Sequence, residues 1–487
     1  MRDDQIRSRL VLTNPWWRFA TSGGDATAWE AADQTLQSRK EFDLGYRPST
    51  LADVASDPVD DKLVILRGPR RVGKSVLIKD TIAALCRRSD VDPRQIVYLT
   101  AESMRAADLN RVATIGRELT RSVEPARRIW LLDEVTSISG WTEAIKFLRG
   151  ETPFGGDTVV CTGSSWDGSS EAERDLLTGR AGTASTRRVR LLLPMSFRDV
   201  ATSTKRPIPL PKAVPLWELQ GDRAKEAAVE AELYADELDL AWQSYLDSGG
   251  FPRAVAEHAS DGRVSDSFVQ DLGAWLHREV DKDDAPDSTA LLLAELSRRS
   301  TSPLNRRDIA EELGYPNSQT LNVRLNRLVN SFGAIWCRQI DDTGRHIKGT
   351  QPKLYLVDPL VAHLGHRSRA GLATAETPTL NENALGVALA RAVEEVQPGR
   401  WMAQDTIGYF RTAKGNEIDF SPVRVPTASG DRFTTPVEGK WVATGWRKGA
   451  LTMENKFGRG VFATRSIVDT SHPAWALPAG LVALLLG

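Results

Sequence analysis

Residues 68–75 read Gly-Pro-Arg-Arg-Val-Gly-Lys-Ser, set between the apolar run Leu63-Val64-Ile65-Leu66 and the helical pattern Val76-Leu77-Ile78. Two glycines, then a lysine and a hydroxyl, suit the holding of a chain of phosphates. A strand that ends where a helix begins turns a ring of backbone N–H groups and the positive end of the helix dipole toward an anion. Gly68 and Gly73 permit the turn and a close approach of backbone to ligand. The spacing is that of a Walker A loop. It predicts that Gly68, Pro69, Arg70, Arg71, Val72, Gly73, Lys74, Ser75 and Val76 enclose the phosphates of ATP. Lys74 would act as a point charge on the outer phosphates, and the Ser75 hydroxyl would ligate magnesium.

A second group of residues would complete a hydrolytic site. The run Ile129–Leu132 ends in Asp133-Glu134, a Walker B pattern. There Asp133 would hold magnesium through its water shell, and Glu134 would polarise the water that attacks the γ-phosphate. The run Val159–Thr162 ends Cys161-Thr162-Gly163-Ser164-Ser165. A hydroxyl at that tip, Thr162 or Ser164, would touch the γ-phosphate or the attacking water, or else cap the following turn. Arg180, in Thr178-Gly179-Arg180, is a candidate for stabilising transition-state charge, within its own subunit or across the boundary of a homo-oligomer.

A third constellation lies near the carboxyl end. Asp419 is followed 19 positions later by Glu438, with Lys440 two beyond. Alternation along a strand puts Glu438 and Lys440 on one face. Two carboxylates could then share magnesium while the lysine steadies water or a scissile phosphate, and Glu382 would add a ligand from the preceding helical run. This is the pattern of restriction-endonuclease-like folds. Gly439 departs from it, since such strands usually bury a β-branched residue between the Glu and the Lys.

The elements that must position these groups follow from hydrophobic patterning. Apolar runs at Leu63–Leu66, Ile96–Leu99, Ile129–Leu132, Val159–Thr162 and Val189–Leu193 alternate with amphipathic stretches, as a parallel sheet flanked by helices requires. The fold class expected is α/β, a P-loop NTPase sheet with an additional strand between the two Walker strands and a catalytic Glu. Prolines 207, 209, 211 and 215 mark an extended connector. Glu218 to Ala259 reads as an acidic helical lid. Leu291 to Pro359 has the period of a winged helix: helices at Leu291–Leu296, Arg307–Gly314 and Ser318–Phe332, then a two-stranded wing over Ile335–Val357. Leu321, Leu325 and Leu328 share one face of the third helix, and Arg324 and Arg327 leave by another, where they could meet DNA. A hairpin turned at Lys414-Gly415-Asn416 carries Asp419.

The 487 residues exceed a single core. With 63 basic and 64 acidic side chains the formal net charge is −1, so no global field favours nucleic acid or membrane, and any basic patch must be local. Cys86, Cys161 and Cys337 are widely spaced and fit reduced core thiols. The amino terminus lacks the apolar centre of a signal peptide, and the apolar stretch Trp475–Gly487 is too short to span a bilayer. A cytoplasmic protein without membrane contact is expected.

Taken in order along the chain, these motifs resemble prokaryotic ATPases of the AAA-like superfamily, archaeal type, which join a P-loop domain to a winged helix and a nuclease-like carboxyl domain. The resemblance rests on Asn14-Pro15-Trp16-Trp17, the Walker pair, Trp141, Thr162-Gly163-Ser164-Ser165, Gly179-Arg180, Leu193-Pro194-Met195-Ser196-Phe197 and Gly249-Gly250-Phe251-Pro252. It continues through Lys353-Leu354-Tyr355-Leu356-Val357-Asp358-Pro359 and Glu417-Ile418-Asp419-Phe420. It implies ATP binding and hydrolysis with magnesium, and four domains: 1–200 the P-loop ATPase, 201–284 lid and linker, 285–360 the winged helix, and 375–487 the endonuclease-like domain. The expected function is an ATP-driven conformational switch acting on nucleic acid, DNA ahead of RNA. The alternative is a signalling or scaffold ATPase whose later domains bind protein partners and whose nuclease-like domain is inactive.

Overall fold

The five apolar runs become five strands: β1 (Leu63–Arg67), β2 (Ile96–Thr100), β3 (Ile129–Asp133), β4 (Thr158–Gly163) and β5 (Val189–Leu191). They form one parallel sheet in the order β2-β3-β4-β1-β5. β1, β3 and β4 are buried along their whole length, which is why they read as unbroken apolar runs rather than alternating ones. β4 stands between β1 and β3, so one strand separates the two Walker strands. The carboxyl ends of β1, β3 and β4 lie together at the point where the chain order reverses, the place where open α/β sheets bind ligands.

β2 is an edge strand, and the segment Asn14-Pro15-Trp16-Trp17 covers it. The Asn14 side chain accepts from the Tyr98 N–H (2.6 Å) and donates to the Tyr98 carbonyl (2.9 Å), pairing with the edge as a neighbouring strand would. Both indoles, Trp16 and Trp17, donate to the Ile96 carbonyl, at 3.0 and 2.8 Å. An exposed row of strand donors and acceptors invites pairing with another chain, and these three side chains satisfy it.

The computed structural model describes residues 1–58, 61–123, 127–166, 187–282, 284–285 and 287–487. They form two compact units, Met1–Leu193 and Pro194–Gly487. The sheet belongs to the first.

In the second unit, helices Ser288–Arg299, Arg306–Glu312 and Ser318–Asn330 precede an antiparallel pair, β6 (Ala334–Gln339) and β7 (Lys353–Leu356). β6 also pairs, in parallel, with β8 (Gly408–Arg411), which turns back into β9 (Glu417–Ile418). The hairpin β10 (Arg424–Thr427) and β11 (Gly430–Phe433) follows. A parallel trio, β12 (Val437–Gly439), β13 (Gly460–Thr464) and β14 (Ala474–Pro478), completes the strands. One antiparallel bridge, Phe420 to Val437, joins the β8–β9 hairpin to β12.

This differs from the expected division into separate lid, winged helix and carboxyl domain. The strand pairing of β6 with β8 ties residues 334–339 to the carboxyl region. The last helix, Ala479–Leu486, is buried at every position and packs on helices Phe197–Ser203, Asp222–Glu232, Ala235–Ser248 and Thr377–Val396. An all-apolar helix must be enclosed on every side. Its neighbours come from both ends of the unit, so the unit is continuous. Among the described residues no helix is long and apolar enough to cross a membrane.

Candidate functional site

The loop between β1 and the helix Lys74–Cys86 takes left-handed backbone conformations at Arg71 (φ 69°) and Gly73 (φ 97°). Successive turns of this kind aim N–H groups into one concavity. Arg71, bearing a side chain, takes that geometry at a cost of about 1–2 kcal/mol. Gly68 is needed for a different reason from the one its motif suggests. A Cβ there would stand 1.9 Å from the backbone oxygen of Leu192, so the chain leaving β5 presses directly on the loop. The Lys74 ammonium is buried and donates to the carbonyls of Gly68 and Pro69, both at 2.8 Å. Ser75 follows it on the first turn of the helix, half-buried.

At the end of β3, Asp133 is 5% exposed. Its Oδ1 accepts from the Thr162 hydroxyl at 2.5 Å, and Tyr98 Oη lies 3.4 Å from Oδ2. Burial, with the Asp133 charge beside it, pushes the Tyr98 phenol above its usual range, so it remains a donor. The same Thr162 oxygen accepts from the Glu134 N–H at 2.9 Å. One hydroxyl on β4 therefore fixes both acids at the carboxyl end of β3, Asp133 on the strand and Glu134 just after it. Thr162 is fully buried, and its one hydroxyl proton is already given to Asp133, so it has none to offer a phosphate in this arrangement.

Glu134 adopts a left-handed conformation (φ 57°, ψ 35°), unusual for a residue with a long side chain. Its Oε1 accepts from the Ser164 hydroxyl, and Arg70 of the loop approaches it to 3.8 Å. The structure thus brings Lys74, Ser75, Asp133, Glu134 and Ser164 to one end of the sheet, with Ser164 on the proposed base itself. Arg180 lies outside the described residues.

Arg67 does not stand out in the sequence, yet it organises the rim. It ends β1 fully buried, donates to the Ser165 carbonyl, and lies 4.8 Å from the ring centre of Trp166 and 5.9 Å from that of Trp141. The signal is an arginine closing an otherwise apolar strand.

The carboxyl constellation also assembles. Asp419 follows β9, Glu438 lies on β12, Lys440 just beyond it, and Glu382 on the helix Thr377–Val396. Lys440 Nζ stands 3.3 Å from Asp419 Oδ2 and 3.2 Å from Glu438 Oε1. The Asp419 N–H donates to Glu438 (3.1 Å), and the Gly439 N–H to Asp419 (3.0 Å). Gly439 has a reason to lack a side chain: a Cβ would lie 3.3 Å from Leu385 and 3.6 Å from the Glu382 backbone, so the helix bearing Glu382 seats against the strand.

What sequence reasoning missed is the part played by Lys353, the first residue of β7, in this cluster. It is 0% exposed, and its ammonium bonds three carboxylates: Glu417 (2.7 Å), Glu382 (2.9 Å) and Asp419 (3.2 Å). Tyr355, two residues on and so on the same face, donates to Glu382 at 2.8 Å. Burial raises the Glu382 and Glu438 carboxyls, to about 7 and about 8, with the neighbouring Asp419 charge adding to the rise. Burial opposes ionisation of Asp419 too, but Lys353 and Lys440 hold its carboxyl below the ordinary range. Burial likewise opposes charge on Lys353, and Asp419, Glu382 and Glu417 overcome it, leaving the ammonium well above its usual range. Lys353 therefore bonds Glu382 and Asp419, two of the three carboxylates expected to share magnesium, while Glu438 is bonded by Lys440. Among the described residues no group of three or more His, Cys, Asp or Glu is arranged to hold a metal ion.

Of the two arginines expected to face DNA, Arg324 turns inward and Arg327 stays exposed. Arg324 bonds Asp281 and Asp284 and lies 4.4 Å from the Tyr315 ring centre, while Arg327 donates to the Val280 carbonyl. Asp281 and Asp284, which follow the helix Asp266–Val280, draw Arg324 inward.

Comparison with known proteins agrees with the first unit. A family described as an AAA domain matches residues 60–201, and a domain of unknown function (DUF8612) matches residues 240–369. No curated protein matches. Among solved structures, a Walker-type ATPase of Pyrococcus abyssi is similar at 15% identity and a TM-score of 0.39, covering 67% of this chain and 99% of its own. The RuvB Holliday junction branch migration motor of Thermotoga maritima gives 16% and 0.28, covering 63% and 90%. The ORC1 protein of Aeropyrum pernix, solved in complex with DNA, gives 13% and 0.29, covering 71% and 91%. The AAA-domain match, the sheet order and the Walker residues make the first unit a P-loop NTPase core.

Proposed function

We propose that the chain is a magnesium-dependent ATP hydrolase whose nucleotide cycle drives a conformational switch acting on nucleic acid. The observation that carries the hydrolytic reading is the Thr162 hydroxyl, bonded at once to Asp133 and to the backbone of Glu134. A bridge of that kind fixes a metal-holding carboxylate and a base relative to each other before substrate arrives.

The donor set suits magnesium on ATP, which takes most of its ligands from phosphate and water and asks the protein for one or two oxygens. Ser75 would supply the hydroxyl and Asp133 the carboxylate. The ion would offset charge on the β- and γ-phosphates. Lys74 would exchange its two loop carbonyls for the outer phosphates. Glu134 would polarise the attacking water, with Ser164 and Arg70 setting the direction and basicity of its carboxylate. Arg180 keeps its proposed role at the transition state.

The test is ATP turnover by Lys74→Ala and Glu134→Gln, measured alone and with duplex DNA, single-stranded DNA and RNA. The first variant should lose nucleotide binding. The second should bind ATP and turn over roughly 10²–10⁴-fold more slowly. Stimulation of the wild type by one nucleic acid identifies the partner, and normal turnover in both variants refutes the assignment.

For the carboxyl region the residues do not fit a metal-dependent nuclease, because the buried Lys353 ammonium already bonds Glu382 and Asp419, two of the three carboxylates that would hold the ion. This supports the reading in which that region binds and does not cleave. Its partner is then nucleic acid or a protein, and partner capture that depends on nucleotide but survives nuclease treatment would favour the protein.

A further inference from the structure

We infer that the second unit binds a nucleic-acid backbone phosphate in the pocket where Arg306 and Arg338 flank Trp336. This inference rests on the nucleic-acid reading proposed above and names the surface that carries it.

The pocket is open, has a volume of about 430 Å³, and is lined by Arg306, Arg307, Ser318, Arg338 and His346, among others. Three separate elements bring these residues together. Arg306 and Arg307 begin the helix Arg306–Glu312, Ser318 begins the 13-residue helix Ser318–Asn330, and Arg338 lies on β6. Trp336 and Arg338 are two apart on that strand and share its half-buried face, while Cys337 between them is fully buried. The guanidinium carbons of Arg306 and Arg338 stand 5.5 and 5.8 Å from the Trp336 ring centre, so one indole orders both.

No carboxylate pairs with either guanidinium among the described residues, whereas Arg298, Arg299 and Arg324 in the same region are all paired with acids. The Nε atoms of Arg306 and Arg338 are buried and find no acceptor. Burial weakens the hold of each on its proton, and for Arg338 the nearby Arg306 charge adds to the effect. Two partly buried like charges without a counterion are costly to fold, and an anion entering the pocket relieves that cost. Paired guanidiniums present flat forks that match phosphate oxygens, and the N-terminus of the helix Ser318–Asn330 adds its positive dipole. An acidic peptide would meet the charge but has no tetrahedral group for converging forks, so a backbone phosphate is the better fit.

The test is fluorescence anisotropy of the full chain with duplex DNA, single-stranded DNA and RNA over a range of salt. The double variant Arg306→Gln, Arg338→Gln should lose roughly ten-fold or more in affinity, and its salt dependence should become shallower by about two counterions. A matched variant, Arg263→Gln with Arg432→Gln, removes two exposed charges elsewhere and should leave the slope unchanged. The pocket is refuted, with the nucleic-acid reading intact, if the wild type binds and the double variant binds equally well, or if the matched variant loses as much. It is also refuted if polyglutamate displaces the oligonucleotide as well as another oligonucleotide does. Absence of salt-sensitive binding by the wild type to any of the three refutes both readings.

Discussion

Lys353 Nζ and Asp419 Oδ1 lie 3.2 Å apart, both buried, although the two residues are 66 positions apart in the chain. The same ammonium bonds Glu382 and Glu417, so one lysine holds two of the three carboxylates that the sequence pattern assigns to a metal, Asp419 and Glu382, together with Glu417. Removing one partner of a buried ion pair leaves the other uncompensated, at about 3–5 kcal/mol. Lys353→Ala should cost about that much in denaturant unfolding. It should also create a dependence the wild type lacks: without nucleotide, millimolar Mg²⁺ or Mn²⁺ should raise the melting temperature of the variant alone. An equal shift in the wild type would show that the lysine does not exclude the ion.

The same cluster predicts a pH dependence. Glu382 and Glu438 are raised, to about 7 and about 8, from an ordinary value of 4.5. Between those limits the folded protein retains protons that the unfolded chain releases. Stability from these groups is therefore fully present below about pH 4.5 and is lost as pH rises through about 7 to 8. Lys353 contributes with the opposite charge type, and its share declines only above 10.5. Glu438→Gln should flatten the fall in stability between about pH 5 and 8, a difference of the order of a few kcal/mol in the wild type. Parallel pH profiles for the two proteins would contradict the assignment.

The P-loop NTPase core is legible in the sequence because phosphate binding is local chemistry. Phosphate binding requires glycines, lysine and hydroxyl within eight consecutive positions, and a buried parallel strand requires an unbroken apolar run. Lys353 is hidden for the converse reason: its partners lie 29 to 66 residues away, and at the start of β7 it reads as an ordinary strand-end lysine. Arg324 misleads because helical periodicity gives the face a residue leaves by, not which acids await it from the preceding segment. The motif Asn14-Pro15-Trp16-Trp17 is visible, but its purpose depends on β2 being an edge, a property of sheet order.

Thr162 and Ser164 sit two apart on and just after β4 and hold different parts of the same site, so their removal should have separable effects. Thr162→Val keeps the shape but leaves the Glu134 N–H without its acceptor and Asp133 Oδ1 without its donor. We expect a loss of about 1–3 kcal/mol in stability together with impaired turnover. Ser164→Ala removes only the contact to Glu134 Oε1. It should lower kcat with little change in nucleotide affinity or melting temperature. If Ser164→Ala weakens ATP binding as much as it slows turnover, Ser164 acts on the nucleotide and not through Glu134.

Asp358 and the pair Gly249-Gly250 belong to motifs more than 100 residues apart and prove to be one joint. Asp358 accepts from the Gly250 N–H at 2.7 Å and from the Leu360 N–H at 2.9 Å, the second capping the helix Pro359–Ser368. A Cβ on Gly249 would stand 1.9 Å from the Asp358 carboxylate, and one on Gly250 would stand 2.0 Å from the Met195 carbonyl. Asp358→Ala leaves two buried donors unsatisfied, at about 1–3 kcal/mol each. Gly250→Ala must displace backbone, which places it among the exceptional substitutions above about 4 kcal/mol. Because that displacement already breaks the bond to Asp358, the double variant should be less destabilised than the two single losses added together. Chemical denaturation of the three variants measures the coupling directly. If Gly250→Ala does not fold, Asp358→Asn, which exchanges one acceptor for a donor, should still lower stability at neutral pH. Strict additivity in the cycle, or an unchanged Asp358→Asn protein, would mean that the carboxylate and the glycine pair act independently.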